Sequence, residues 1–388
     1  MAVPAIVESA ALSDLIRVVR EDGYTVIGPT VRGDAIVLDE ILDGSELPVG
    51  WGVDTGAGRY RLVRRADDAV FAHSAGPQSW KSILHPARRR LLSIQQHADC
   101  DQTGFSVEPE PADVAPRYAF LGVRPCDLAA IGILDRVLAG GEHPSPHYTS
   151  RRDGILLIVA NCTEPGAACF CVSMGGGPRA EAGYDLALTE RVDAEGHRFL
   201  VEAGSPAGER LLAALPGRGA TDADLAVAAA DLTDAAGRMG RAMPAMDLRQ
   251  LLADSRESPH WEDVANRCLA CGNCTMVCPT CFCTTTEDVS DLTGDHAERW
   301  ERWDSCFNLD FSYLHGGEVR TSTDSRYRQW MSHKLSTWYD QFGSSGCVGC
   351  GRCVVWCPVG IDITVEAARL AELSPGPAAA QGADDDAR

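Results

Sequence analysis

The spacing of apolar and polar residues separates a long mixed N-terminal segment from a shorter C-terminal segment with helical patterns. Ala11–Glu21 has the periodicity of an amphipathic helix, and residues 24–27 read as a strand, after which Pro29 and Gly33 punctuate a turn. Tyr118–Val123 and residues 155–160 are short apolar runs of strand type, each followed by a loop that carries cysteine. Between them, residues 127–138 place apolar side chains at i, i+3 and i+4, which predicts a helix and thus a β–α–β unit. Residues 184–192 and 197–202 predict a hairpin, and two Ala-rich helices follow over 207–215 and 222–239. Residues 243–258 read as a hinge or connecting helix. Ser258 before Pro259 marks the start of the next helix, over 259–267, because Ser can cap it and Pro suits its first turn. The last helix is expected over 365–373. The Pro-, Ala- and Asp-rich remainder, 371–388, reads as a disordered acidic tail.

Composition narrows the class. Apolar residues at 45% and charged residues at 23% are ordinary for a soluble globular protein, and 388 residues predict two or three domains. No apolar stretch is long enough to cross a bilayer, and the start M-A-V-P-A-I-V-E-S-A has no cationic region leading into an apolar one. The net charge of −20 excludes a basic nucleic-acid-binding surface. It is compatible with steering toward basic redox partners, and equally with solubility alone. Sixteen cysteines without an export signal point to reduced thiols that ligate metal in the cytoplasm.

Their arrangement carries the chemistry. C-L-A-C-G-N-C-T-M-V-C-P contains Cys268, Cys271, Cys274, Cys278 and Pro279, and C-V-G-C-G-R-C-V-V-W-C-P repeats it with Cys347, Cys350, Cys353, Cys357 and Pro358. This C-x2-C-x2-C-x3-C-P run holds a cubane [4Fe–4S] cluster in bacterial-type ferredoxins, where the fourth cysteine ligates the cluster of the other copy. The expected sets are therefore Cys268, Cys271, Cys274 and Cys357 for one cluster, and Cys347, Cys350, Cys353 and Cys278 for the second. Structural zinc sites pair two C-x2-C knuckles and need neither the third cysteine of each loop nor the trailing proline. A disulfide framework belongs to small secreted domains. Two such clusters transfer single electrons. The motifs are separated by residues 280–346, far more than in a compact ferredoxin, and this insert carries Trp300, Trp303, Trp330 and Trp338 among helical patterns. The fold class expected is mixed α+β: an N-terminal α/β domain over 1–245, then a helical ferredoxin-type dicluster domain over 246–370.

Eight cysteines lie outside the repeat. Cys126 follows one apolar strand and Cys162 the next, so in a parallel pair both emerge at one sheet edge, with Cys169 and Cys171 in the loop after Cys162. Four thiols match the ligand count of a third [4Fe–4S] cluster. Buried free thiols or a redox pair are the other readings, and spacing alone does not choose among them. Cys281, Cys283 and Cys306 are one short of a set and read as packing or tuning groups near the first cluster, or as a substitute ligand. Cys100 stands alone and reads as inert. Residues 175–177, all glycine, read as a plain turn rather than an anion cradle. No dinucleotide, P-loop or nucleophile-elbow motif is present, so the chain has no evident catalytic site of its own.

The stretch C-L-A-C-G-N-C-T-M-V-C-P-T-C-F-C, the run R-Y-R-Q-W-M-S-H-K-L and the second cysteine loop resemble the iron–sulfur β subunit of cytosolic bidirectional [NiFe] hydrogenases of the sulfhydrogenase type. They are similar also to the corresponding iron–sulfur subunit of anaerobic sulfite reductase. G-P-Q-S-W-K, G-V-R-P-C-D and N-C-T-E-P-G belong to the same pattern. The resemblance implies a cytoplasmic electron-transfer subunit with a flavin- and NAD(P)-binding reductase subunit on one side. On the other side it implies the [NiFe] hydrogenase small and large subunits, or a sirohaem sulfite reductase subunit. It also favours the third cluster at Cys126, Cys162, Cys169 and Cys171. A stand-alone redox-sensing iron–sulfur protein is the alternative from another class.

Overall fold

The computed structural model describes residues 3–99, 102–109 and 116–374. Cys100 and the tail beyond residue 374 lie outside the described residues. The dominant element is an eight-stranded sheet in the order Arg218–Gly219, Ala5–Glu8, Gly196–Ala203, Leu186–Asp193, Leu156–Ala160, Tyr118–Val123, Thr25–Arg32 and Ala35–Glu40. The run from Leu186–Asp193 to Thr25–Arg32 is parallel, and antiparallel strands close both sides. Leu156–Ala160 is buried at every position, as a central parallel strand covered on both faces must be. One face packs Leu121, Leu156 and Ile158 against Leu12, Leu15, Ile16 and Val19 of the Ala11–Glu21 helix. The other packs Phe120, Val123, Leu157 and Val159 against Ile131 and Leu134 of the helix Pro125–Leu134.

Two local expectations change. The strand expected over 24–27 continues to Arg32 with Pro29 inside it. Pro29 is opposite Leu38, whose amide donates outward to Gln78 Oε1 at 2.8 Å, and the neighbouring strand Tyr118–Val123 pairs only with Thr25, Val26 and Ile27. The missing N–H of Pro29 therefore breaks no ladder bond. The insert over 280–346 is also not helical throughout. Thr284–Ser290 and His296–Trp303 form a hairpin that pairs with Arg88–Asp99, which in turn pairs with Gln102–Pro109. Trp300 and Trp303 thus stand on a strand, and the ladder shifts register between Arg299 and Trp300. Cross-strand charge pairs, Arg89 with Glu301 and Arg90 with Glu298 at 2.7 Å each, select this pairing over the helix that the tryptophan spacing imitates.

The C-terminal segment is built on short helices, among them Leu248–Asp254, His260–Ala265, Thr323–Ser332 and Ile363–Leu373. The first of these is the connecting helix, one of the two readings of residues 243–258. Their apolar cluster joins Trp261, Trp330, Val354 and Ile363 to Ala75, Ala168 and Phe170 of the N-terminal segment. A buried ion pair locks the two segments together. Arg352 Nη1 and Nη2 donate to Asp127 Oδ1 and Oδ2 at 2.7 and 3.1 Å, and Nε donates to the Gln78 carbonyl at 3.1 Å. The two side chains are 8% and 4% exposed. Beside them the Phe170 amide donates to the Gly349 carbonyl at 2.9 Å. A Cβ on Gly349 would stand 2.5 Å from Cys171 Cα, so only glycine permits this approach. Removing one partner of such a pair leaves a buried charge uncompensated, so Asp127→Ala is expected to lose about 3–5 kcal/mol of stability. Anaerobic urea unfolding checks this, and an unchanged midpoint would show that the pair does not hold the two segments.

Candidate metal centres

The two motif loops have the same backbone. In the first, Ala270 and Gly272 on either side of Cys271 have positive φ; in the second, Gly349 and Gly351 on either side of Cys350 do. The left-handed turns curl each loop, so that the amide two residues on donates to the first thiol: Ala270 N to Cys268 Sγ, and Gly349 N to Cys347 Sγ, both at 3.4 Å. The same feature explains Gly272, Gly349 and Gly351, while Ala270 adopts it as a non-glycine residue. The fourth cysteines cross over. Cys268, Cys271, Cys274 and Cys357 line one cavity with about 460 Å³ of empty space including its mouth. Cys278 instead interacts electrostatically with Cys347, Cys350 and Cys353.

Cys126 follows the strand Tyr118–Val123, and Cys162, Cys169 and Cys171 follow Leu156–Ala160, so both loops leave the same end of the parallel pair. All four line a second cavity, with about 450 Å³ of empty space including its mouth. Cys350 lines this cavity too, while Cys353 lines the first one. The second motif loop therefore lies between two thiol-lined cavities. Cys271 is exposed, and Cys126, Cys171 and Cys347 also border a broad open groove with Met174 and Val348.

The surroundings fit sulfide-bearing groups. Tyr327 Oη and Trp330 Nε1 belong to residues lining the first cavity, and His73 Nε2, Ser74 Oγ and Arg124 Nε to residues lining the other; all are buried without a hydrogen-bond partner among the described residues. Buried polar groups ordinarily find partners. Cluster sulfurs accept hydrogen bonds and would complete these groups, whereas an apolar filling would not. No three described His, Cys, Asp or Glu side chains close on a single-ion site. The donors are cysteine thiols in every case, the soft ligands that iron–sulfur clusters take.

Burial dominates the free thiols. It pushes Cys347 and Cys169 up to about 12 and Cys171 up to about 11, and raises Cys126, Cys274 and Cys353 well above the ordinary cysteine value. Cys278 moves the other way. A hydrogen bond with Cys281 holds it low against burial, helped by Lys334 and by Thr280.

The spare cysteines now have a place. Cys281 is within 3.5 Å of Lys334 Nζ, and both Cys283 and Cys306 interact electrostatically with the same buried ammonium. Burial pushes Cys306 up to about 12, with a further rise from Cys283. Lys334 and Lys81 escaped attention in the sequence, although a signal existed. Lys334 continues the buried stripe of Tyr327, Trp330 and Met331 on the same helical face, where a lysine is unusual.

Residues 267–361 match the family described as a 4Fe-4S dicluster domain, an interval that contains all eight motif cysteines. Over 307 residues the chain is 31% identical to sulfhydrogenase 2 subunit beta of Pyrococcus furiosus, a match covering 78% of this chain and 86% of that protein. The chain belongs to this hydrogenase β-subunit family. It is an iron–sulfur, electron-transfer subunit with [4Fe–4S] centres. No solved structure matches it. Among the described residues no helix of this β subunit is long and apolar enough to cross a membrane.

In the folded, metal-free chain the thiolate is the reactive species, so the high values above predict slow alkylation at pH ~8 of Cys169, Cys306 and Cys347, and first modification at exposed Cys271. The three rates should rise with pH. Timed iodoacetamide labelling read by peptide mass spectrometry checks the order, and early labelling of Cys347 would contradict it.

Proposed function

We propose that this β subunit carries three [4Fe–4S] clusters in a row and relays single electrons between two partner subunits. Cys268, Cys271, Cys274 and Cys357 hold the first, Cys347, Cys350, Cys353 and Cys278 the second, and Cys126, Cys162, Cys169 and Cys171 the third. Residues 1–245 then supply the third site and residues 246–370 the other two. The observation that supports the order most directly is the position of the second loop, with Cys353 on one flanking cavity and Cys350 on the other. The bound clusters supply reversible one-electron chemistry. The protein's own residues hold the thiols in place, with Cys169, Cys171 and Cys278 buried and Cys271 exposed.

The partners follow from the family and from what the chain lacks. With no nucleotide or catalytic motif of its own, it takes electrons from, or returns them to, a flavin- and NAD(P)-binding reductase subunit. At the other end it serves [NiFe] hydrogenase small and large subunits in a cytoplasmic complex. The name of the Pyrococcus relative, a sulfhydrogenase subunit, supports the hydrogenase terminus over a sulfite reductase one.

Anaerobic reconstitution should give about twelve iron and about twelve acid-labile sulfide per chain, since each cubane holds four of each. Cys274→Ala and Cys126→Ala should each fall to about eight iron. Full iron in Cys126→Ala would remove the third site from the proposal, and full iron in Cys274→Ala would remove the first.

A further inference from the structure

Lys334 is 3% exposed, and its ammonium is within reach of four acceptors: Cys278 Sγ at 3.3 Å, Cys281 Sγ at 3.5 Å, Thr280 Oγ1 at 3.2 Å and the Gly346 carbonyl at 3.2 Å. None of these is a carboxylate. A buried cation without a carboxylate is costly unless another negative charge compensates it. A second lysine stands behind the same loop. Lys81, also 3% exposed, donates to the carbonyls of Cys281 at 3.0 Å and Met276 at 3.4 Å, with its ammonium 3.8 Å from the Trp303 ring centroid. Arg352, on the second motif loop, is by contrast neutralised by Asp127. The first cavity is lined differently. Besides its cysteines it presents Phe307, Tyr327, Trp330, Ile361 and Ile363, with no lysine or arginine.

We propose that Lys334, reinforced by Lys81, raises the reduction potential of the second centre above that of the first, so that an electron shared between these two rests on the second. The inference builds on the ligand sets proposed above. One-electron reduction adds one negative charge to a centre and breaks no bond. A fixed cation at a ligand sulfur stabilises the reduced form over the oxidised one, and the low dielectric of a buried site strengthens the effect. The first centre has no cation at a ligand sulfur: Arg326 acts on Cys268 electrostatically, but its guanidinium donates to the Arg320 and Thr321 carbonyls at 3.5 and 3.4 Å. The geometry also accounts for Cys281, whose thiol shares the ammonium with Cys278 and extends its contact with the cluster loop.

The test is an EPR-monitored redox titration of the full loaded chain, with iron and sulfide counted on the same samples. In the wild type, resolved midpoints are expected. Lys334→Met should lower one of them, that of the second centre, so that its reduced-to-oxidised ratio at fixed poise drops at least tenfold, equivalent to about 59 mV for one electron. The other midpoints should stay in place, and Lys334→Arg should restore the wild-type value. Should Lys334→Met lose iron, Lys81→Met, whose ammonium touches no sulfur, is expected to give a smaller shift in the same direction. Coincident wild-type midpoints, an unmoved midpoint at full iron, or an Arg variant that behaves like Met would overturn the inference. Wild-type iron below about eight per chain would instead fail the ligand sets.

Discussion

Everything about the row of thiols depends on two loops from distant parts of the chain being pressed together. The Arg352–Asp127 pair is the interaction that holds them. Each residue sits next to a cysteine, Asp127 beside Cys126 and Arg352 beside Cys353, so one bidentate contact aligns the C-terminal loop with the edge of the parallel sheet. The absence of a side chain at Gly349 lets the backbones meet, and the Phe170–Gly349 hydrogen bond fixes their spacing. A buried ion pair of this kind adds modest net stability, because desolvation offsets much of the attraction. Its value here is geometric: in this arrangement of the two loops one bidentate contact satisfies both charges.

The same economy of charge explains the burial of so many thiols. Without a cation nearby, burial favours the neutral thiol, which is a poor ligand. Bound iron would supply the missing positive charge at the proposed ligands. Around Cys278 the protein supplies it itself, through Lys334. The unpartnered donors of Tyr327, Trp330, Ser74 and His73 follow the same logic, since they are buried polar groups facing cavities bordered by sulfur. The site is therefore built from compensating parts, each costly by itself.

Much of this was readable along the chain. The Ala11–Glu21 helix and the Tyr118–Val123 strand occur with the bounds that their periodicity predicts. Joining Cys126 to Cys162 required only the inference that two apolar runs around a helix form a parallel pair, which they do. The insert was misleading because Trp300 and Trp303 have helical spacing, while their charged neighbours pair across strands contributed by residues near 90. Pro29 was misleading for a related reason. A proline breaks a strand only where its amide would be needed, and that depends on how far the neighbouring strand extends.

The sequence by itself determined the local chemistry: the doubled cysteine spacing, the left-handed residues inside each loop and the sheet that carries the N-terminal thiols. These are set by a few consecutive residues and by backbone sterics. The tertiary structure decided which thiols share a cavity, that the second loop lies between two others, and that a lysine faces Cys278. Those facts rest on contacts between residues some 50 to more than 200 positions apart, such as Lys334 with Cys278 and Arg352 with Asp127. Spacing along one chain does not encode such contacts; packing and charge compensation in three dimensions do.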